Sequence, residues 1–519
     1  MDLIFHNTRA YSLVEPGQWA PAFLVRGGCI VALGTKEDLA AAAHRPKYID
    51  LGGHFVYPGF TDAHVHFVGL GLTLQNLQLQ DCTLAEVLGK VEARAHQASV
   101  HDWIVGRGFN FNNWPEGKPR KEWLDRVAPG VPVALTAKDG HLMWVNSAAL
   151  QASGITADTS NPQHGVIDRD ESGEPTGLLM ESAIALVTAN MPAPSTQLRR
   201  KAIQAAIRLM HSYGIVAVHD MGDESGLQSF HEYRAAHGLP LRIWLAIPRQ
   251  FLKHAKSLGI RAGFGDQFLR IGGVKAFADG ALGARTAWML GPYEGEEGCG
   301  LPTLSSEELR DLVQEANGSG LPVAIHAIGD QANRAVLDAL AAHGDRTLRN
   351  RIEHVQLLAE EDVPRLAELN VIASMQPTQC PQDRYMADRH WGRRSRLAYP
   401  FRSLLRQGTV LAFGSDTPVE DASVLVGLYS AVARKRWEEP HTEAWYGQEA
   451  VTMWDAMRAF TYGGAYAAGE ESYRGTLAPG MAADFTVLTQ DILAADDPEV
   501  LKETQVAATY VAGECVYEA

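Results

Sequence analysis

A chain of 519 residues is too long for one small core, and length alone allows roughly two to four domains, with a barrel able to absorb about 250 residues or more as one unit. Hydrophobic content of 46%, charged content of 21% and a formal net charge of −15 describe a soluble globular protein and exclude nucleic acid as the main partner, because phosphate binding needs a basic surface. Five scattered cysteines, Cys29, Cys82, Cys299, Cys380 and Cys515, form no Cys-x-x-Cys pair, which argues against a disulfide framework or a cysteine zinc site and fits a reducing compartment.

The chain opens on Met1-Asp2-Leu3-Ile4-Phe5-His6-Asn7, with no basic segment leading into an apolar stretch. No signal peptide is expected, and a cytoplasmic location follows. No run approaches the ~18 apolar residues a membrane span needs, so no membrane is expected as a partner. Residues 22–25 and 29–33 alternate as strands around Arg26-Gly27-Gly28, a hairpin signal. The alanine-rich stretch 39–43 reads as helix. The other end of the chain has the same strand texture at 484–488, 506–511 and 515–517. Neither end could build a core alone, so residues 1–55 and 475–519 are expected to fold together as a small β-sandwich domain. Between them, strand-like segments occur at 60–66, 214–218, 241–245, 269–274, 321–325, 349–353, 371–374 and 409–413. Helical patterns separate several of them, for example 306–316, with a serine at its start, and 330–342. Eight strands with intervening helices suggest an α/β fold, a (β/α)8 TIM barrel spanning 56–474. Residues 73–192, with Trp103, Trp114, Trp123 and Trp144, are too many for a loop and read as an inserted subdomain near the barrel mouth.

Two histidines, His64 and His66, lie two residues apart in the first of these strands. Residues at that spacing share a strand face, and paired imidazoles on one face suit a metal ion. Lys275, His326, His354 and Asp416 follow at or just beyond the ends of strands four, five, six and eight. Barrel enzymes place their chemistry at that face. Each has an ordinary alternative: an ion pair for Lys275, a core histidine for His326, a surface pair for Glu353-His354, a turn cap for Asp416. It is the combination that points to a metal centre.

The motifs around these residues are 58–66 (Pro-Gly-Phe-Thr-Asp-Ala-His-Val-His), 274–283, 326–330, 351–354, 413–416 and the ending 475–484. Together they resemble the metal-dependent hydrolases of the amidohydrolase superfamily, and within it the YtcJ-like and N-substituted formamide deformylase branch. The resemblance covers nearly the whole chain. It implies hydrolysis of a carbon–nitrogen bond, in an amide, N-acyl or N-formyl compound, by a metal-activated water. It also implies a binuclear centre: His64, His66 and Asp416 on one divalent cation, His326 and His354 on the other, and Lys275 bridging both as a carboxylated lysine, a carbamate made with carbon dioxide. Zinc suits the imidazole-rich set, and manganese, iron or cobalt would fit it too. Asp416 would also move the proton between water and leaving amine.

Further candidates are weaker. His141, in a stretch that resembles this branch, is a candidate to approach the substrate or an oxyanion, with a structural turn as the alternative. Arg107 and Arg285 are candidates to bind an anionic group, or are ion-pair residues. Trp144 and its neighbours would line an apolar substrate pocket or form core. Asp279 and Asp330 would orient ligands or cap loops. A small-molecule substrate is the partner expected, and a homo-oligomer is compatible with the sequence. Three other functions stay open: a mononuclear ring deaminase, a non-catalytic binding protein on the same barrel, and a Schiff-base lyase using Lys275.

Overall fold

In the computed structural model, the apolar segments of the middle of the chain form eight strands. They are β1 (Phe60–Val65), β2 (Ile215–Asp220), β3 (Arg242–Pro248), β4 (Leu269–Phe277), β5 (Val323–Ala327), β6 (Arg351–His354), β7 (Ile372–Met375) and β8 (Leu411–Phe413). Each is hydrogen-bonded in parallel to the next, in chain order from β1 to β8. Strands covered on both faces read as continuous apolar runs rather than as alternation, and every residue of β1, β2, β6, β7 and β8 is buried. The sheet nearly closes on itself just past β8. The Asp416 amide donates to the His64 carbonyl at 2.7 Å, and the His66 amide donates to the Thr417 carbonyl at 2.9 Å. The result is a parallel eight-stranded sheet of the kind found in a TIM barrel, with one short antiparallel strand, Phe264–Gly265, added beside β4.

The helix Ser306–Gly318 buries Leu309, Leu312, Val313 and Ala316 on one face. Its cap is Ser305, one residue earlier than the cap read from sequence, and Ser305 and Glu308 close a capping box. Asp330–His343 is likewise helical.

Strands from both ends of the chain form a second sheet. Phe485–Leu488 pairs antiparallel with Phe55–Pro58, which in turn pairs with Asp2–Tyr11. Where a sandwich was expected, the eight strands are joined edge to edge as one continuous sheet. Its core is aromatic: Phe5 lies 5.0 Å from Phe23, and Phe485 lies 4.5 Å from Tyr510. This sheet belongs to the same compact unit as the barrel strands, residues Met1–Leu70 with Ile203–Ala519. Asp484 at its edge takes two hydrogen bonds from the Arg242 guanidinium of β3, at 2.6 and 3.0 Å.

Residues Gly71–Ala202 form a separate unit with a six-stranded mixed sheet. Its core packs Phe109, Trp114, Leu135, Trp144 and Leu178. The indoles of Trp114 and Trp144 donate to the carbonyls of Cys82 and Arg120, at 2.9 and 3.1 Å, so each buries its ring with its polar atom satisfied. The structure describes all residues except 81, 98–102, 112–113, 138–141 and 164. Among the described residues, no helix is long and apolar enough to cross a membrane.

Candidate metal centre

The parallel register brings the ends of β1, β4, β5, β6 and β8 to one side of the sheet. There His64, His66, Lys275, His326, His354 and Asp416 line a single cleft of about 320 Å³. His64 is buried, with its Nδ1 2.6 Å from Glu353 Oε2. Its Nε2 lies 3.4 Å from Asp416 Oδ1, and His66 Nε2 lies 3.3 Å from the same oxygen. The other Asp416 oxygen accepts a hydrogen bond from Gln379 Nε2 at 3.0 Å. The His354 ring sits 4.9 Å from that of His64 and 4.5 Å from that of His326. His326 donates from Nε2 to the Gly280 carbonyl at 2.9 Å, which leaves the Nδ1 lone pair free.

The arrangement is braced from within the barrel. Arg351 and Glu353 point to the same face of β6 and are fully buried. Arg351 grips both Glu353 oxygens and donates to His219 Nδ1 at 2.7 Å and Ser374 Oγ at 3.0 Å. Glu353 therefore stays ionised: burial alone would raise it, but the Arg351 charge and His64 hold it well below the usual carboxylate range. An ionised acceptor on Nδ1 fixes the His64 tautomer and turns the Nε2 lone pair to the cleft. Asp62 ties β1 to the loop after β8 by accepting from the Ser415 amide at 2.9 Å and the Ser415 hydroxyl at 2.5 Å. Gly414 fits there because a Cβ would meet the His64 nitrogen at 2.4 Å. Asp279 accepts from the amides of Trp288, Ile328 and Gly329 at 2.8–3.0 Å, and so shapes the loop after His326. His354, Val355 and Asp416 all have positive φ, at 75°, 47° and 63°, a conformation that costs a non-glycine residue energy and collects at functional sites.

Burial is the main influence on His64, His326, His354 and Lys275. It pushes His64 and His354 down, His326 down to about 3, and Lys275 down to about 8. Neutral imidazoles are the form that ligates a metal. Burial would raise Asp416, but His64, His66 and His354 hold it well below the usual carboxylate range.

These groups fit a divalent cation. One donor atom from each of His64, His66 and Asp416 lies within 4.8 Å of the other two. Among the described residues, His64 Nε2, His354 Nδ1 and Lys275 Nζ are buried without a hydrogen-bond partner. A buried polar atom left unpaired costs about 1–3 kcal/mol, and three converging on one cleft are the donors a metal centre could use.

The other candidates fare differently. His141 lies outside the described residues. Arg107 is exposed on the strand Ile104–Phe109. Trp144 is a correction: it is fully buried in the core of its unit and has no surface to offer a ligand. Arg285 does not line the cleft; its exposed guanidinium pairs with Glu296. Asp330 is the first residue of its helix and accepts from the Leu290 amide at 2.7 Å. Sequence reading missed Glu353 as a brace, and missed Gln356, Gln379, Asp383 and Glu420 in the cleft wall. Only Glu353 had a signal: its place on a buried strand one residue before His354.

Known proteins resemble this chain along most of its length. The profile of a family described as "Amidohydrolase family" matches residues 47–517. The YtcJ protein of Bacillus subtilis (strain 168) is 34% identical over all of both chains. An N-substituted formamide deformylase from Arthrobacter pascens is 30% identical over 100% of this chain and 98% of its own. The crystal structure of an uncharacterized metal-dependent hydrolase from Pyrococcus furiosus superposes with a TM-score of 0.81 at 27% identity, covering 95% of this chain and 100% of the other.

Proposed function

The chain belongs to the amidohydrolase family, a metal-dependent hydrolase acting on carbon–nitrogen bonds, and on that premise we propose that it cleaves a small amide, N-acyl or N-formyl compound at a two-metal centre. The observation that carries the reading is the convergence of six donor side chains on one cleft, three of them with buried atoms that no described residue satisfies. His64, His66 and Asp416 would hold one cation and His326 and His354 the other. Lys275 would join them as a carbamate, and zinc suits the set.

Two features support the lysine's role. Among the described residues its Nζ has no acceptor, and burial lowers its ammonium to about 8. A neutral amine is therefore accessible near neutral pH. That amine adds to carbon dioxide, forming an N–C bond and releasing one proton, and the product is an anion with two oxygens. When bound, the cations supply Lewis acidity toward water and toward the substrate carbonyl.

The protein's own groups do the rest. Asp416, held at Oδ2 by Gln379, takes a proton from the attacking water and returns it to the leaving nitrogen. The water oxygen bonds to the carbonyl carbon, the C–N bond breaks, and the products are a carboxylic acid and an amine. Glu353 keeps His64 aimed at the cleft throughout. The relative named as a formamide deformylase supports beginning with N-formyl compounds. The test is a screen of N-formyl, N-acyl, cyclic amide and ester compounds with metal-loaded protein. Amine release from at least one amide class is expected; hydrolysis of esters alone, or ammonia release from a ring substrate alone, would overturn the reading.

A further inference from the structure

The cleft that gathers the six donors holds two more carboxylates, Asp383 and Glu420. Among the described residues neither forms an ion pair. Asp383 Oδ2 accepts the Tyr399 hydroxyl at 2.5 Å. Glu420 makes no side-chain hydrogen bond or ion pair among the described residues. Of the charged groups that act on Glu420, three are carboxylates, Asp383, Asp416 and Asp421, and one is a cation, Arg436. Arg436 is itself engaged with the carbonyls of Pro381 and Gln382 and with Glu439. Burial, with those carboxylates, pushes Glu420 up to about 7, and burial pushes Asp383 up to about 6.

A separate observation involves Gln356, which lines the same cleft and is only 4% exposed. Its orientation is fixed, because its Nε2 donates to Gln379 Oε1 at 3.0 Å while Gln379 donates onward to Asp416. Gln356 Oε1 is thereby left as a buried acceptor with no partner among the described residues. Two carboxylates and an amide oxygen thus share one cavity with the apolar side chains of Leu282, Met386 and Val419. Among the described residues, Asp383 and Glu420 belong to no group of three close carboxylate, imidazole or thiolate donors, so no further metal site is assigned to them. Acceptors beside apolar surface match an alkyl chain that ends in an ammonium group, which brings three donors and a positive charge.

We propose that Asp383, Glu420 and Gln356 form a subsite for an aliphatic ammonium group, so that the preferred amides carry a second, free amine, as mono-N-acylated diamines do. This rests on the amide-hydrolase reading above and names its substrate class.

The test has two arms on the metal-loaded protein. In the first, kcat/KM is compared for N-formyl-1,4-diaminobutane and its neutral isostere N-formylpentylamine. A preference of about tenfold or more for the cation is expected. The preference should fall toward unity in Glu420→Gln and Asp383→Asn and survive in Glu420→Asp, which keeps the charge. In the second, calorimetry measures binding of 1,4-diaminobutane against 1,4-butanediol, with tighter binding of the diamine expected and weakened in Glu420→Gln. Equal kcat/KM for the two amides, with no selective diamine binding, overturns the subsite and leaves amide hydrolysis standing. Selective diamine binding without hydrolysis of either amide supports the subsite and counts against the hydrolytic reading.

Discussion

His64 owes its usefulness to a residue 289 positions away, since Glu353 fixes which of its nitrogens faces the cleft. Replacing Glu353 with Gln removes the ionised acceptor and leaves the buried Arg351 charge without its partner. The expected result is a fall in metal affinity of about 10- to 100-fold, read by competition with a chelator; unchanged affinity would mean that the pair serves only folding. The residues that touch the cleft were largely legible in the sequence. His64 and His66 follow from strand alternation, and Lys275, His326, His354 and Asp416 from the rule that barrel chemistry sits at strand ends. Their braces were not legible, because a hydrogen bond across a barrel leaves no local spacing to read. Trp144 misled for a related reason: a large aromatic ring serves a core and a pocket equally well, and only its surroundings decide between them.

Strand and loop meet closely where β8 runs out and the chain returns beside β1. Ser415 is bonded to Asp62, Asp416 to the His64 carbonyl, and Gly414 passes too close to His64 for any side chain. Gly414→Ala would force β1 and this loop apart. A loss of about 1–3 kcal/mol is expected, as for overpacking of a core, seen as a lower unfolding temperature, together with loss of activity because His64 and His66 sit on one side of the contact and Asp416 on the other. A variant of normal stability and activity would show that the closure is slack. The barrel strands were readable because continuous apolar runs of this length, bounded by turn residues, fit buried parallel strands. The positive-φ residues that end β6 and precede the cleft were not, since neither histidine, valine nor aspartate announces that conformation.

The sheet built from both chain ends is fastened to the barrel strands through Arg242 and Asp484, a buried pair with two hydrogen bonds. Asp484 also accepts from the Ala512 amide at 2.8 Å, so one carboxylate joins β3 to the last hairpin of the chain. Asp484→Ala leaves the guanidinium buried and unpaired, and a loss of about 3–5 kcal/mol is expected, measured as a drop in unfolding temperature; a shift within error would mean that the two sheets cohere through apolar contact alone. That the two ends fold together was legible, because neither has enough apolar residues for a core of its own. That they share one continuous sheet was not, because strand order is settled by pairing and not by composition. All of these elements serve the same six side chains. The decisive measurement is the metal content of the purified protein and of its Lys275→Ala variant, taken with activity. The account predicts about two equivalents of divalent metal per chain, activity lost on chelation and regained on reloading, and less metal in the variant. A wild-type protein that is metal-free and fully active would contradict it.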